Sequence, residues 1–156
     1  MPERKVEMRR ATRDDLPAII ALLSDDDIGS QRESTGPLLP EYERAFASID
    51  ASADELLVVA CIDGNVVGTL QLTLLHHLSH RGAVRAQIES VRVTSGLRGR
   101  GVGHQLLEWT LAYARERGAR LAQLSTDKSR VDARRFYESL GFHATHEGMK
   151  LTLGDQ

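Results

Sequence analysis

The spacing of apolar residues divides the chain into an alternating series of strands and helices. Residues 6–10 form a first short strand, and Leu16, Ile19, Ile20 and Leu23 then follow the i, i+3, i+4, i+7 rule. That spacing predicts a helix capped by Thr12 or Asp14, with Pro17 confined to its first turn. Residues 25–40 are polar and punctuated, and a second helix is expected at about 41–49. Two apolar runs, 56–62 and 66–75, flank Asp63-Gly64-Asn65, whose residues accept positive φ at little cost and so predict a hairpin. Another strand ends at Val93 and leads through a glycine-containing loop into a helix from about Gly101 to Gly118. Its expected inward stripe is Val102, Leu106, Trp109 and Tyr113, widened by Leu107, Leu111 and Ala114, with Gln105, Glu108, Arg115 and Glu116 facing water. A strand at 119–126 follows. A last helix starts at Ser129 or Asp132, turns Ala133, Phe136 and Leu140 inward and stops at Gly141. Residues 142–146 and 149–153 are expected to close the fold as a hairpin. The succession predicts one mixed α/β domain over residues 1–156: a twisted, mostly antiparallel sheet with helices on both sides and one parallel strand–helix–strand crossover.

The strand before the loop breaks its own period. Ile88 has one parity, Val91 and Val93 the other, so an unbroken strand cannot place all three on one face. A bulge near Glu89-Ser90 would repair the pattern; so would burial of both faces, which makes parity uninformative.

Composition narrows the function classes. At 156 residues the chain can bury a sizeable core, and a formal net charge of −2 gives it no general attraction to nucleic acid. A local patch of Arg98, Arg100, Arg134 and Arg135 is the one route to RNA. The start MPERKVEMRR has no apolar core of a signal segment, and the longest apolar run, 56–62, is too short to cross a bilayer, so a cytoplasmic protein without membrane contact is expected. Cys61, the single cysteine, sits inside that run as a small hydrophobe. His76, His77 and His80 fall in a turn with no carboxylate or thiolate at ligand spacing, so surface histidines and no metal are expected. The acidic triplet Asp25, Asp26 and Asp27, and Glu33 after it, either attracts a cationic amine or is simply solvated.

The chemistry concentrates in residues 87–118. A strand, a glycine loop and a helix start turn backbone N–H groups toward one point, which suits a phosphate. A Walker loop is excluded because Gly101 is followed by Val102, Gly103 and His104, with no lysine in place. The dinucleotide fingerprint would need a glycine at His104 or at Leu106. What fits is R-x-x-G-x-G at Arg98, Gly101 and Gly103. This resembles the acyl-CoA loop of the GNAT superfamily of N-acetyltransferases. Residues 132–142, DARRFYESLGF, resemble that superfamily's second signature, a short helix carrying a tyrosine and stopped by Gly-Phe.

The resemblance implies a GNAT-like acyl-CoA N-acyltransferase fold with a bulge in the fourth strand. It also implies transfer of an acetyl group from acetyl-CoA to a primary amine of a small molecule, or of a peptide or protein, by direct attack in a ternary complex. Acetyl-CoA is then held by the strand end Val91, Arg92 and Val93 and by Arg98, Gly99, Arg100, Gly101, Val102, Gly103 and His104. Glu89 is the expected base, directly or through water, and Tyr137 the expected acid. The superfamily commonly has asparagine where this chain has Arg130, so that contact does not carry over, and Arg130 is instead a candidate for a CoA phosphate. A non-catalytic acyl-CoA sensor is the alternative, and a homodimer stays open.

Overall fold

The computed structural model of the protein describes residues 4–155. The chain forms two compact units, Met1–Gln123 and Leu124–Gln156.

The first unit is built on a sheet whose strands lie in chain order: β1 (Glu7–Arg10), β2 (Glu55–Ile62), β3 (Asn65–Leu75), β4 (Val84–Val93) and β5 (Ala119–Leu124). The first four pair antiparallel in succession, and β5 lies beside β4, as a crossover requires. Between β1 and β2 come a short 3-10 turn, Arg13–Asp15, and the helices α1 (Leu16–Leu23), α2 (Asp27–Arg32) and α3 (Pro40–Ala51). A single turn, α4 (Ser79–Gly82), connects β3 to β4, and the long helix α5 (Val102–Glu116) connects β4 to β5. The β2–β3 hairpin turns at Asp63 and Gly64, with φ of 51° and 80°, the left-handed pair that a two-residue turn of matching twist demands.

Register sorts side chains onto two faces. Leu56, Leu72 and Ile88 stand opposite one another across three strands, all at most 2% exposed, with Val58 and Leu70 in the next row. α5 covers this face with Val102, Leu106, Leu107, Thr110 and Ala114. Gly68 sits on the same face, where a Cβ would come within 3.2 Å of the Arg92 carbonyl and 3.7 Å of Leu106. The opposite face packs Val59 and Cys61 against Ala11 and Ile19, with Leu23, Leu57 and Val66 at the margin. Cys61 is thus a buried free thiol, as its position in an apolar run suggests.

The inward stripe of α5 differs from the expected one. It follows the i, i+4 row Val102, Leu106, Thr110 and Ala114, whereas Trp109 is 36% exposed and stacks on Tyr113 with ring centroids 6.0 Å apart. Large rings do not fit where the helix approaches the sheet as closely as it does at Gly68 and Leu106. Thr110 does, because its hydroxyl donates to the Leu106 carbonyl at 2.8 Å and needs no other partner. The polar stretch 25–40 also contains a helix that its composition hides: Asp26 accepts from the Gly29 N–H at 2.5 Å and so starts α2.

In the second unit, α6 (Val131–Ser139) half-buries Ala133, Phe136, Tyr137 and Leu140. Gly141, at φ 97°, ends it, with the Phe142 N–H returning to the Tyr137 carbonyl at 3.1 Å. The expected hairpin at 142–146 and 149–153 does not form: both segments are without regular structure, and Met149, Leu151 and Leu153 are 84–93% exposed. Alternation alone cannot make a strand where no neighbouring strand pairs with it. Among the described residues no helix is long and apolar enough to cross a membrane, and no group of three His, Cys, Asp or Glu side chains is placed to hold a metal ion.

The start of α1 is fixed by one ion pair. Arg9 donates to both Asp15 oxygens at 2.7 and 2.9 Å, and the Thr12 N–H donates to Asp15 Oδ2 at 2.7 Å. The Arg9 hydrogen bond is the largest influence holding the Asp15 carboxyl below the ordinary range, against the opposing effect of burial. A depressed folded pKa means that the stabilisation is complete above the unfolded value and is lost as pH falls through the folded one. Because the guanidinium is 44% exposed, Asp15→Asn should cost only about 1 kcal/mol at pH 7 in urea unfolding. The difference from the native protein should narrow below about pH 4; a difference independent of pH would show that the charge contributes nothing.

Candidate acyl-CoA site

The register places a bulge in β4. Gln71 pairs with Glu89, yet Thr69, two residues back on β3, pairs with Arg92, three residues on along β4. One extra residue is therefore inserted after Glu89, and Ser90 takes it up at φ 56°. A left-handed serine costs about 1–3 kcal/mol and persists only where its surroundings impose it. The bulge reconciles the parities of Ile88 and Val93: Ile88 is buried at 1%, and Val91, Arg92 and Val93 are half-buried beyond the kink. It also withdraws backbone groups from the β3 ladder: the Val91 carbonyl accepts from the Arg92 guanidinium at 2.9 Å, and the Val93 carbonyl from Arg98 Nε at 3.4 Å.

Glu89 is exposed and lies on the face opposite Ile88. Its row is polar: Gln71 is its cross-strand partner, Thr73 pairs with Gln87, and the Gln123 amide donates to Gln87 Oε1 at 2.7 Å. The Gln71 amide reaches Glu55 at 3.5 Å. This polar row escaped the sequence reading, although its signal was present: Gln71 and Thr73 alternate with buried Leu70, Leu72 and Leu74, and Gln87 and Glu89 with Ala86 and Ile88.

Past Val93 the chain makes a 3-10 turn, Ser95–Leu97, and enters the glycine loop. Gly99 and Gly101 have φ of 78° and 84°, and Gly101 is the N-cap of α5 with no side chain satisfying its first turn. The N–H groups of Val102, Gly103 and His104 therefore point out of the helix start without an intrahelical acceptor. A Cβ at Gly101 would meet nothing within 4 Å, so the glycine is required by its backbone angle, and the space above the loop is open. His104 Nε2 lies 2.8 Å from Glu108 Oε1, one turn along the helix. Arg100 has no acidic partner among the described residues. An uncapped 15-residue helix start beside two arginines and an open space fits a pyrophosphate, which supplies the acceptors these donors lack.

The acidic triplet is used for structure. Arg98 donates to the Asp25 carbonyl at 3.4 Å and lies 3.8 Å from its carboxylate, which ties the loop to the end of α1. Asp26 caps α2 and lies 3.9 Å from Arg92 Nε, and Asp27 sits in the first turn of α2. Glu33 takes the Tyr42 hydroxyl at 3.1 Å and Arg32 at 2.6 Å. Burial is the main influence raising the Tyr42 pKa, so the phenol stays protonated.

Arg130 and Tyr137 belong to the second unit. Arg130 is the N-cap residue of α6. The Tyr137 ring packs 5.3 Å from Phe136 and, edge-on, 6.0 Å from Phe142, which fixes its position on the helix.

The family model for the acetyltransferase (GNAT) family matches residues 16–142. An aminoalkylphosphonate N-acetyltransferase of Salmonella typhimurium is 32% identical over 90% of this chain and 86% of its own length. A glucosamine 6-phosphate N-acetyltransferase of Trypanosoma brucei brucei is 28% identical over 86% of this chain and 95% of its own. A solved structure from Bacillus halodurans C-125, described as a transcriptional regulator, is 46% identical with a TM-score of 0.92, covering 96% of this chain and 100% of that one. With the match spanning bulged strand, glycine loop and last helix alike, the chain belongs to the acetyltransferase (GNAT) family and is an acetyl-CoA-dependent acetyltransferase.

Proposed function

We propose that the protein transfers acetyl from acetyl-CoA directly to the primary amine of a small molecule, with both bound at once. The observation that carries this reading is the Ser90 bulge, which puts an exposed carboxylate, Glu89, immediately before the strand end that leads into the uncapped start of α5. The backbone of Val91, Arg92 and Val93 would hold the pantetheine arm. Arg98, Gly99, Arg100, Gly101, Val102, Gly103 and His104 would hold the pyrophosphate, and Arg130 a further CoA phosphate. Bound acetyl-CoA supplies an activated thioester.

The chain's own residues then handle protons. Glu89 takes one from the substrate ammonium through a water, which frees the nitrogen lone pair for the acyl carbon. The C–N bond forms as the C–S bond breaks; the nitrogen, cationic once it is bonded to the acyl carbon, gives up its second proton to water, and Tyr137 gives its phenolic proton to the departing sulfur and is reprotonated from solvent. A backbone N–H near Val93 steadies the charge on the acyl oxygen. The two curated relatives are named for substrates that carry an amine and a phosphorus oxyanion together. Small amines of that class are therefore the first to try. A panel of aminoalkylphosphonates, amino-sugar phosphates and simple amines, assayed for CoA release, tests the reading. Tight acetyl-CoA binding without turnover on any of them would place the acceptor outside this class of small amines.

Three variants separate the parts. Acetyl-CoA should raise the melting temperature of the native protein, and Gly103→Asp, which puts a carboxylate at the second position of α5, should abolish the rise. A normal rise in that variant would remove the loop from the binding site. Glu89→Gln keeps the shape and loses the base, so kcat/KM should fall by about 10²-fold at neutral pH and recover in part at high pH, where the amine is already neutral. An unchanged pH–rate profile would reduce Glu89 to a strand residue. Tyr137→Phe keeps both ring contacts, so stability and acetyl-CoA affinity should survive while kcat falls by about 10² to 10⁴. Wild-type turnover would mean that water protonates the leaving group.

A further inference from the structure

The β3–β4 connection has features that acetyl transfer does not use. In α4, His80 and Arg81 adopt φ of 54° and 58°, and Gly82 follows at 72°. Consecutive left-handed residues other than glycine are rare, and here they hold His80 in the lining of a cavity of about 260 Å³. Its lining is His80, Ala83, Arg85, Arg120 and Leu121, drawn from the turn, β4 and β5. Three of these five carry basic groups and none is acidic.

The charge in this corner is one-sided. Among the described residues Arg85 has only two long contacts to neutral oxygens, Gln123 Oε1 at 3.4 Å and Ser79 Oγ at 3.3 Å, and its Nε is buried without a partner. Arg120 has no acidic partner among the described residues. Both ring nitrogens of His77 are buried without a hydrogen bond, and its ring lies 6.3 Å from that of His80. Desolvation, then the charges of Arg85 and His80, lower the His77 pKa, which reports the same crowding. A guanidinium partly removed from water with no counter-charge is unfavourable, and an oxyanion seated against it supplies both the charge and strong acceptors.

We propose that this cavity binds a tetrahedral oxyanion, free or carried as a phosphoryl group on a small molecule, through Arg85, Arg120 and His80. The site is separate from the transfer chemistry. Arg85 precedes Glu89 by four residues on β4, about 13 Å along the strand, too far for one short amine to occupy both. The proposal therefore stands or falls independently of the acetyl-transfer reading.

The test is a titration of the full chain with inorganic phosphate at ionic strength held constant with sodium chloride. Melting temperature and the imidazole proton resonances of His77 and His80 are followed together. Saturable stabilisation with shifts of both histidines is expected, and Arg120→Gln, at an exposed position, should weaken it roughly tenfold or more. Arg85→Gln should do the same if it folds, and acetyl-CoA stabilisation should stay unchanged in both variants. Glycerol phosphate binding more tightly than inorganic phosphate would assign the site to a phosphorylated small molecule; the reverse order would assign it to the free ion. Phosphate that binds wild type and Arg120→Gln alike, that shifts only residues of the glycine loop, or that shows no saturation would overturn the proposal.

Discussion

The burial of one face of α5 is the interaction on which the candidate site depends. Leu106 and Leu107 are fully buried on the side of α5 that packs against β3 and β4, where Leu70, Leu72 and Ile88 are buried too, and Thr110 and Ala114 continue the stripe. Truncating either leucine would cost about 2–5 kcal/mol. That anchoring holds the helix axis, and with it the donors of Val102, Gly103 and His104, in a fixed direction before any ligand arrives. Donors already in place need little reorganisation on binding, so more of the attraction to a pyrophosphate appears as affinity. The glycine cap completes the arrangement by leaving the donors unfilled, since it has no side chain to satisfy them.

The Ser90 bulge is the second constraint, and it acts on the sheet. Before it, β4 is an ordinary member of the ladder, with Ala86 and Ile88 under α5 and Gln87 and Glu89 on the other face. After it, pairing resumes one residue out of step. The strain at Ser90 is offset by the packing on both sides of it. What the protein gains is an exposed carboxylate near the point where β4 turns toward the loop. The same economy governs the acidic residues of the α1–α3 region. Asp15, Asp25, Asp26 and Glu33 each fix a helix start or a loop through a specific partner, so little of that charge is left for a ligand.

The opposite imbalance holds at the β3–β4 turn. Arg85, Arg120, His77 and His80 converge there with no carboxylate among the cavity's lining residues. A sequence with a net charge of −2 gives no hint of this, because net charge averages over exactly the local asymmetry that matters for binding.

Much of the fold was legible in the chain because local rules decide it. Asp63-Gly64 specified the hairpin, Leu16, Ile19 and Ile20 the inner side of α1, Gly118 and Gly141 the ends of α5 and α6, and the broken parity after Ile88 the bulge. The glycine loop was legible for the same reason: a phosphate cradle is made of backbone, and backbone conformation is written in glycines. Other features were not local. Whether Trp109 or Thr110 faces the sheet depends on how closely α5 approaches it, and whether residues 149–153 form a strand depends on a neighbour they do not have. The basic cavity joins residues from 80 to 121 that share no motif, since they meet only because β5 lies beside β4. The sequence by itself determined most of the elements, the loop and the family chemistry; the tertiary structure decided the remaining elements and which side chains share a surface, because both depend on distances between segments far apart in the chain.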